Sequence, residues 1–199
     1  MKEETNLRML SGGQAVVESL KVEGVKHVFG LIGSATMELF DALYDAKDIR
    51  FIGVRDERTG THMADGYARA TGRPGIIIAG QNGPGATNLV TGIAQAYAAF
   101  STVVSIAGAI ATEHIGKDAF QEIDQQALFE TITKKTWSIK QTNNIPETLN
   151  EAFKLALTPR CGPVHVNLPR DILVNTDSFT EFNKFQQSTM PEISKEDIS

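Results

Sequence analysis

Apolar and polar positions along the chain change period repeatedly. The apolar runs Val25 to Leu31, Ile49 to Val54, Gly75 to Ala79, Thr102 to Ala107, Thr136 to Lys140 and Gly162 to Pro169 are short and punctuated by Gly, Pro, Asn or Asp, and each predicts a strand. The Gly75 to Ala79 run is continuous rather than alternating, as a parallel strand covered on both faces should be. Helical spacing fills the intervals. Ser11 caps a helix through Ala15, Val16, Leu20 and Val22 that stops at Gly24. Met37, Leu39, Phe40, Leu43 and Tyr44 give a second helix one broad apolar side, and Thr59, His62, Met63, Gly66, Tyr67 and Ala70 recur as one face of a third. Pro84 suits the first turn of a fourth, carrying Leu89, Val90, Ile93, Ala94 and Tyr97. Leu128, Phe129 and Ile132 belong to a short fifth, and Pro146 to Leu157 form a sixth.

Strand and helix alternate, so the fold class is α/β: a three-layer αβα domain with a parallel sheet of about six strands. Right-handed crossovers collect the C-terminal ends of such strands on one edge, where ligands bind. The turns Gly33-Ser34-Ala35, Asp56-Glu57 and Asn82-Gly83-Pro84-Gly85 all fall there.

The length of 199 residues and formal charge of −5 suit one domain, read over 11–174, with 1–10 as an N-terminal tail and the polar 175–199 as a partly disordered linker toward a further domain. Apolar stretches such as Thr102 to Ala111 are broken by Ser and Gly and are too short to cross a bilayer. Residues 1–10, with Glu3, Glu4, Asn6 and Arg8, lack a signal-peptide core, so a cytoplasmic setting without a membrane partner is expected. The mild acidity, with no Lys/Arg stripe, argues against nucleic acid. Cys161 is the single cysteine and reads as a small packing residue. His27, His62, His114 and His165 have no metal-ligand spacing, so no metal site is expected within this chain.

Glu57 stands where an apolar strand meets a helix. A helix dipole favours acids in its first turn, so a solvated Glu57 is one reading and a functional carboxylate the other. The Gly80 to Gly85 loop permits close backbone approach to a ligand, but it is neither G-x-G-x-x-G nor a P-loop. Gly108 to Gln121 is long enough to suggest a functional loop. Within it Phe120 packs beneath the loop or faces a ligand, Gln121 bonds backbone or substrate, and Lys117 is solvated or meets an acidic substrate.

Arg55-Asp56-Glu57 followed by Met63-Ala64-Asp65-Gly66-Tyr67-Ala68-Arg69-Ala70-Thr71-Gly72 resembles the cofactor-activating segment of thiamine-diphosphate enzymes, particularly the acetohydroxyacid (acetolactate) synthase group. Four further stretches are similar to that family over about 11–175: Gly24 to Gly30 with Gly33, Asn82 to Ala94, the loop Asp118-Ala119-Phe120-Gln121-Glu122, and Cys161 to Asp171. Asp56 stands where His is common in the family, and Ile32 where Pro is. The resemblance implies a flavodoxin-like pyrimidine-binding domain. It assigns Glu57 and Gln121 to catalysis, Gly33, Ser34, Ala35, Glu57, Gly83, Pro84 and Asn88 to the cofactor, and Phe120 with Gln121 to the substrate. In the family the glutamate hydrogen-bonds an aminopyrimidine ring nitrogen, favouring the imino tautomer whose exocyclic nitrogen deprotonates the thiazolium C2. A carboxyl group in that role needs a dry, apolar interface where a proton can be shared.

The family's diphosphate module, with its G-D-G turn, is absent from the chain. The resemblance therefore implies thiamine diphosphate shared with a diphosphate domain of another subunit, Mg²⁺ held by that absent domain, and room for FAD in a full-length enzyme. The expected partners are a 2-oxo acid such as pyruvate and either a homo-oligomer, dimer or tetramer, or a separate diphosphate-domain subunit, and the chain alone is expected to be inactive. Two alternatives stand beside this: a sulfoacetaldehyde acetyltransferase-like domain, which Ile32-Gly33-Ser34-Ala35 and Gln81-Asn82-Gly83-Pro84-Gly85 resemble, and a catalytically silent binding or regulatory domain.

Overall fold

A computed structural model describes residues 7–185. In chain order the elements are β1 (Arg8–Ser11), α1 (Gly12–Val22), β2 (His27–Leu31), α2 (Met37–Asp45), β3 (Arg50–Gly53), α3 (Glu57–Thr71), β4 (Gly75–Ala79), α4 (Pro84–Ala98), β5 (Val103–Ala109), α5 (Gln125–Glu130), β6 (Thr136–Ser138), α6 (Ile145–Leu157), β7 (Val164–Pro169), α7 (Arg170–Val174) and β8 (Thr176–Phe179), with 3-10 turns at Ser34–Thr36, Thr112–His114 and Thr142–Asn144. Six strands form one parallel sheet in the order β3-β2-β4-β5-β7-β6. The expected three-layer α/β architecture is therefore present.

The pleat of the central strands divides two cores. Ile76 and Ile78 of β4, with Val104 and Ile106 of β5, join Val16, Leu20, Leu39, Leu149 and Phe153 from α1, α2 and α6. Ile77 and Ala79, with Val103 and Ala107, join Ala64, Leu89, Ile93 and Phe129 from α3, α4 and α5. Burial of both faces explains why β4 reads as an unbroken apolar run. Local signals set the helix ends: Ser11 Oγ accepts from Gln14 N at 3.2 Å while Gln14 Oε1 accepts from Ser11 N at 2.9 Å, a reciprocal cap on α1.

Some expectations are corrected. Met37 and Tyr44 lie exposed, and only Leu39, Phe40 and Leu43 of that predicted apolar side are buried. The face of α3 carrying Thr59, His62, Met63, Gly66 and Ala70 points outward, and the helix sits on Gly60, Ala64 and Ala68 instead. Small residues win because the backbone lies close to the sheet; a Cβ at Gly60 would come 2.6 Å from Ile77 Cδ1. Arg8–Ser11, whose first three residues the sequence places in the tail, and Thr176–Phe179, placed in the linker, pair as antiparallel β1 and β8, with Leu10 and the buried Phe179 packed against the core. Each segment finds its partner at the far end of the chain, which no local periodicity can register. The remaining tail and linker residues, 1–6 and 186–199, lie outside the described residues. Among the described residues no helix is long and apolar enough to cross a membrane.

The chain passes from β2 outward to β3 and then returns to β4 on the other side of β2. That reversal opens a crevice at the C-terminal ends of β2 and β4, the place where open α/β sheets receive ligands.

Candidate functional site

Two glycines close the floor of the crevice. A Cβ on Gly33 would come 2.5 Å from the Gly80 carbonyl carbon and oxygen, and one on Gly80 would collide with Gly33 N, so the turns after β2 and β4 interlock backbone to backbone. Ala35 N donates to Gly80 O at 3.1 Å across the same contact. Gly83 then takes φ 56°, ψ −102° ahead of Pro84 at the start of α4, a conformation open essentially to glycine. A side chain there would run into Gln121 O.

Glu57 is the first residue of α3, and Asp56 is its N-cap, accepting from Arg58 N at 2.8 Å. The solvated reading of Glu57 fails, because only 4% of the residue is exposed. Its Oε2 accepts from Asn88 Nδ2 of α4 at 2.9 Å, while Oε1 meets no donor among the described residues. Gly85 leaves space beside that oxygen, since a Cβ there would lie 3.2 Å from Oε1. A carboxyl group held at one oxygen and open at the other can accept a hydrogen bond or carry a proton.

The long loop after β5 reaches over the same edge. Phe120 is 80% exposed, which excludes packing beneath the loop. Gln121, at φ 60°, offers Oε1 to Gln81 Nε2 at 2.8 Å, and so bonds a side chain rather than the backbone expected as its alternative. Asn82 Nδ2 donates to Phe120 O and Gln121 O, both at 3.0 Å, stitching this loop to the one after β4. Glu122 accepts from Gly116 N and Ala119 N, and these backbone donors hold its carboxyl below the usual range. Lys117 is exposed in the loop.

Behind the loops runs a buried polar chain. Gln125 Oε1 accepts from Gly83 N at 2.9 Å; its Nε2 donates to Gly108 O at 3.1 Å and Asn167 Oδ1 at 2.7 Å. His165 Nε2 donates to the same Asn167 Oδ1 at 2.9 Å, which leaves Nδ1 to accept from Ser105 Oγ at 2.8 Å. His165 stacks on Phe129, and burial pushes its pKa down to about 3. It is a neutral core histidine.

The structure thus brings Gly33, Ser34, Ala35, Glu57, Gly83, Pro84, Asn88 and Gln121 to one edge, with the Phe120 side chain exposed beside it. Sequence reading gave no role to Gln81, Asn82 as a loop clamp, or Gln125; the first two sit directly between β4 and Gly83, a position that could have flagged them. A second cleft, about 510 Å³, opens at the opposite edge near Glu23, His27, Tyr67 and Arg73. There Glu23 already accepts from Asn150 Nδ2 and Phe185 N, and burial raises its pKa. Among the described residues no cluster of three or more His, Cys, Asp or Glu side chains could hold a metal ion.

The family model described as "Thiamine pyrophosphate enzyme, N-terminal TPP binding domain" matches residues 10–128. Similar proteins include the probable acetolactate synthase large subunit of Methanocaldococcus jannaschii, 49% identical over 163 residues (82% of this chain, 27% of the relative), and the acetolactate synthase isozyme 3 large subunit of Escherichia coli K12, 47% identical over 167 residues (84% and 29%). The acetolactate synthase large subunit of Lactococcus lactis is 43% identical over 173 residues (87% and 30%). The chain spans less than a third of the length of these curated relatives.

Proposed function

We propose, from the premise that this chain belongs to the thiamine pyrophosphate enzymes and carries their N-terminal TPP binding domain, that it supplies the cofactor-activating half of an acetolactate synthase-like active site. The observation that carries this reading is Glu57: buried, gripped at Oε2 by Asn88, and vacant at Oε1 beside Gly85. These residues fit a protonatable ring nitrogen, which needs one acceptor in a place where water competes poorly. When bound, thiamine diphosphate supplies the nucleophilic carbon and the electron sink for decarboxylating a 2-oxo acid. Glu57 Oε1 holds the proton shared with the ring nitrogen, and Asn88 Nδ2 keeps the carboxyl group in plane for it. Gly33, Ser34, Ala35, Gly83 and Pro84 shape the crevice at backbone distance, and Phe120 and Gln121 face the substrate, a 2-oxo acid such as pyruvate.

The diphosphate and Mg²⁺ fall to a second domain, on another subunit or a separate chain. Exposed Ile32, Ile115 and Phe120 support this, because they ring the edge with apolar surface suited to being covered. The names of the relatives at 43–49% identity support carboligation over acetyl transfer.

The test is acetolactate formation from pyruvate by the chain assembled with a diphosphate-domain partner. Glu57→Gln lowers turnover by about 10²-fold or more, in line with loss of a positioned proton carrier. An unchanged rate would favour the silent-domain reading, and turnover by the isolated wild-type chain would remove the half-site.

A further inference from the structure

Gln81 joins loops that follow β2, β4 and β5. Ser34 Oγ donates to Gln81 Oε1 at 2.8 Å, and Gln81 Nε2 donates to Gln121 Oε1 at 2.8 Å and to Asn82 Oδ1 at 3.1 Å. The two ends of a carboxamide are nearly isosteric, so the direction of such a chain must come from hydrogen-bond polarity. Asn82 settles it. One end of its side chain lies 3.0 Å from the backbone oxygens of Phe120 and Gln121, which only accept, so that end is Nδ2 and Oδ1 faces Gln81. Oδ1 requires a donor, so Gln81 presents Nε2; the same nitrogen reaches Gln121, whose nearer atom is therefore Oε1. The Ser34 hydroxyl completes the chain by donating to Gln81 Oε1.

Gln121 consequently has its acceptor engaged, while Nε2, with two N–H groups, has no partner among the described residues. Its backbone is fixed as well, at φ 60° with its carbonyl on Asn82. Gln121 lines a cleft of about 560 Å³ with Asn82, Ile110 and Ile115, roomy enough for a small organic molecule; of the carboxylates Asp118, Glu122 and Asp124 that also line it, Glu122 and Asp124 accept from backbone N–H groups.

We propose that Gln81 is a positioning residue that sets which end of the Gln121 carboxamide meets the substrate, presenting Nε2 as a donor pair for a carboxylate or keto oxygen. The inference rests on the reading of Gln121 as substrate-facing. It selects acceptor-bearing substrates, because an ammonium group, which only donates, leaves the N–H groups opposed and unpaired at that point.

Gln81→Glu tests the polarity. A carboxylate accepts only, so it draws Gln121 Nε2 inward and turns Oε1 to the substrate. In the assembled holoenzyme the KM for pyruvate rises about tenfold or more while kcat stays within about threefold, and affinity for thiamine diphosphate is unchanged. Gln81→Leu, which frees Gln121 to turn either way, gives an intermediate KM. Adding Gln81→Glu to Gln121→Met produces no further rise, since the residue it acts through is gone. An unaltered KM in Gln81→Glu, or additive losses in the double variant, overturns the proposal. A readout without turnover is the Gln81 side-chain amide resonance of the ¹⁵N-labelled chain, which moves in Gln121→Met if the bond exists; no movement also overturns it. Failure of the wild-type assembly to bind thiamine diphosphate would instead sink the functional reading, leaving the amide resonance to judge the Gln81–Gln121 bond.

Discussion

Two buried polar clusters in this fold are finished differently. Between β5 and β7, His165 has a partner at each ring nitrogen, and Gln125 uses both ends of its carboxamide. At the ends of β2 and β4, Glu57 is also buried, at 4% exposed, but has a partner at one oxygen only among the described residues. Completion is favoured because an unpaired polar atom in a low-dielectric interior costs on the order of 1–3 kcal/mol, although His27 Nδ1, Thr36 Oγ1, Glu38 Oε2 and Ser101 Oγ are buried without a partner among the described residues. Glu57 differs from these in that its free oxygen is not fully enclosed and lies beside Gly85, where a ligand can reach it. The clusters touch at Gly83, whose N–H is held by Gln125, so the completed network braces the loop beside the incomplete one.

The contrast breaks most visibly at Glu57. Beyond the loss of turnover, Glu57→Gln should leave unfolding free energy within about 1 kcal/mol of wild type by urea denaturation, since the amide keeps an acceptor for Asn88 and no charge remains to be buried. A large destabilisation would make Glu57 a structural residue like His165.

His165 should behave in the opposite way. Its pKa falls from the ordinary 6.5 to about 3 on folding, so the unfolded chain binds a proton that the native chain does not. The contribution is complete above about 6.5 and is lost as pH falls toward about 3, at a rate approaching about 1.4 kcal/mol per pH unit. Urea melts between pH 6.5 and 4.5 should show that slope in wild type and a shallower one in His165→Gln, with cofactor affinity kept at pH 7. Equal slopes would contradict a neutral core histidine.

Gly33→Ala sharpens the comparison at the crevice floor. The new methyl must displace the Gly80 backbone, so thermal melts should report a loss of about 1–3 kcal/mol together with weakened thiamine diphosphate binding. Ser11→Ala gives the smallest effect, about 1 kcal/mol from the α1 cap, whose side-chain bond reaches only Gln14 N.

Much of this was legible in the chain. Short apolar runs alternating with helical spacing gave the parallel sheet and placed Glu57 and the two glycine turns on one edge. The outward face of α3 was misjudged because residue size, not hydrophobicity, decides how closely a helix lies on a sheet. Pairing of β1 with β8 depends on a partner at the other end of the chain, and the Ser34–Gln81–Gln121 relay depends on carboxamide polarity, which spacing does not encode. His165 looked like a strand histidine and is one, although its Ser105 and Asn167 partners needed the neighbouring strand to be known.

The half-site reading is tested most directly by calorimetric titration of thiamine diphosphate with Mg²⁺ into the chain alone and into its mixture with a diphosphate-domain partner. Binding only in the mixture, weakened by Glu57→Gln, is the predicted result. Tight binding to the chain alone, or binding to the mixture that Glu57→Gln leaves untouched, would contradict it.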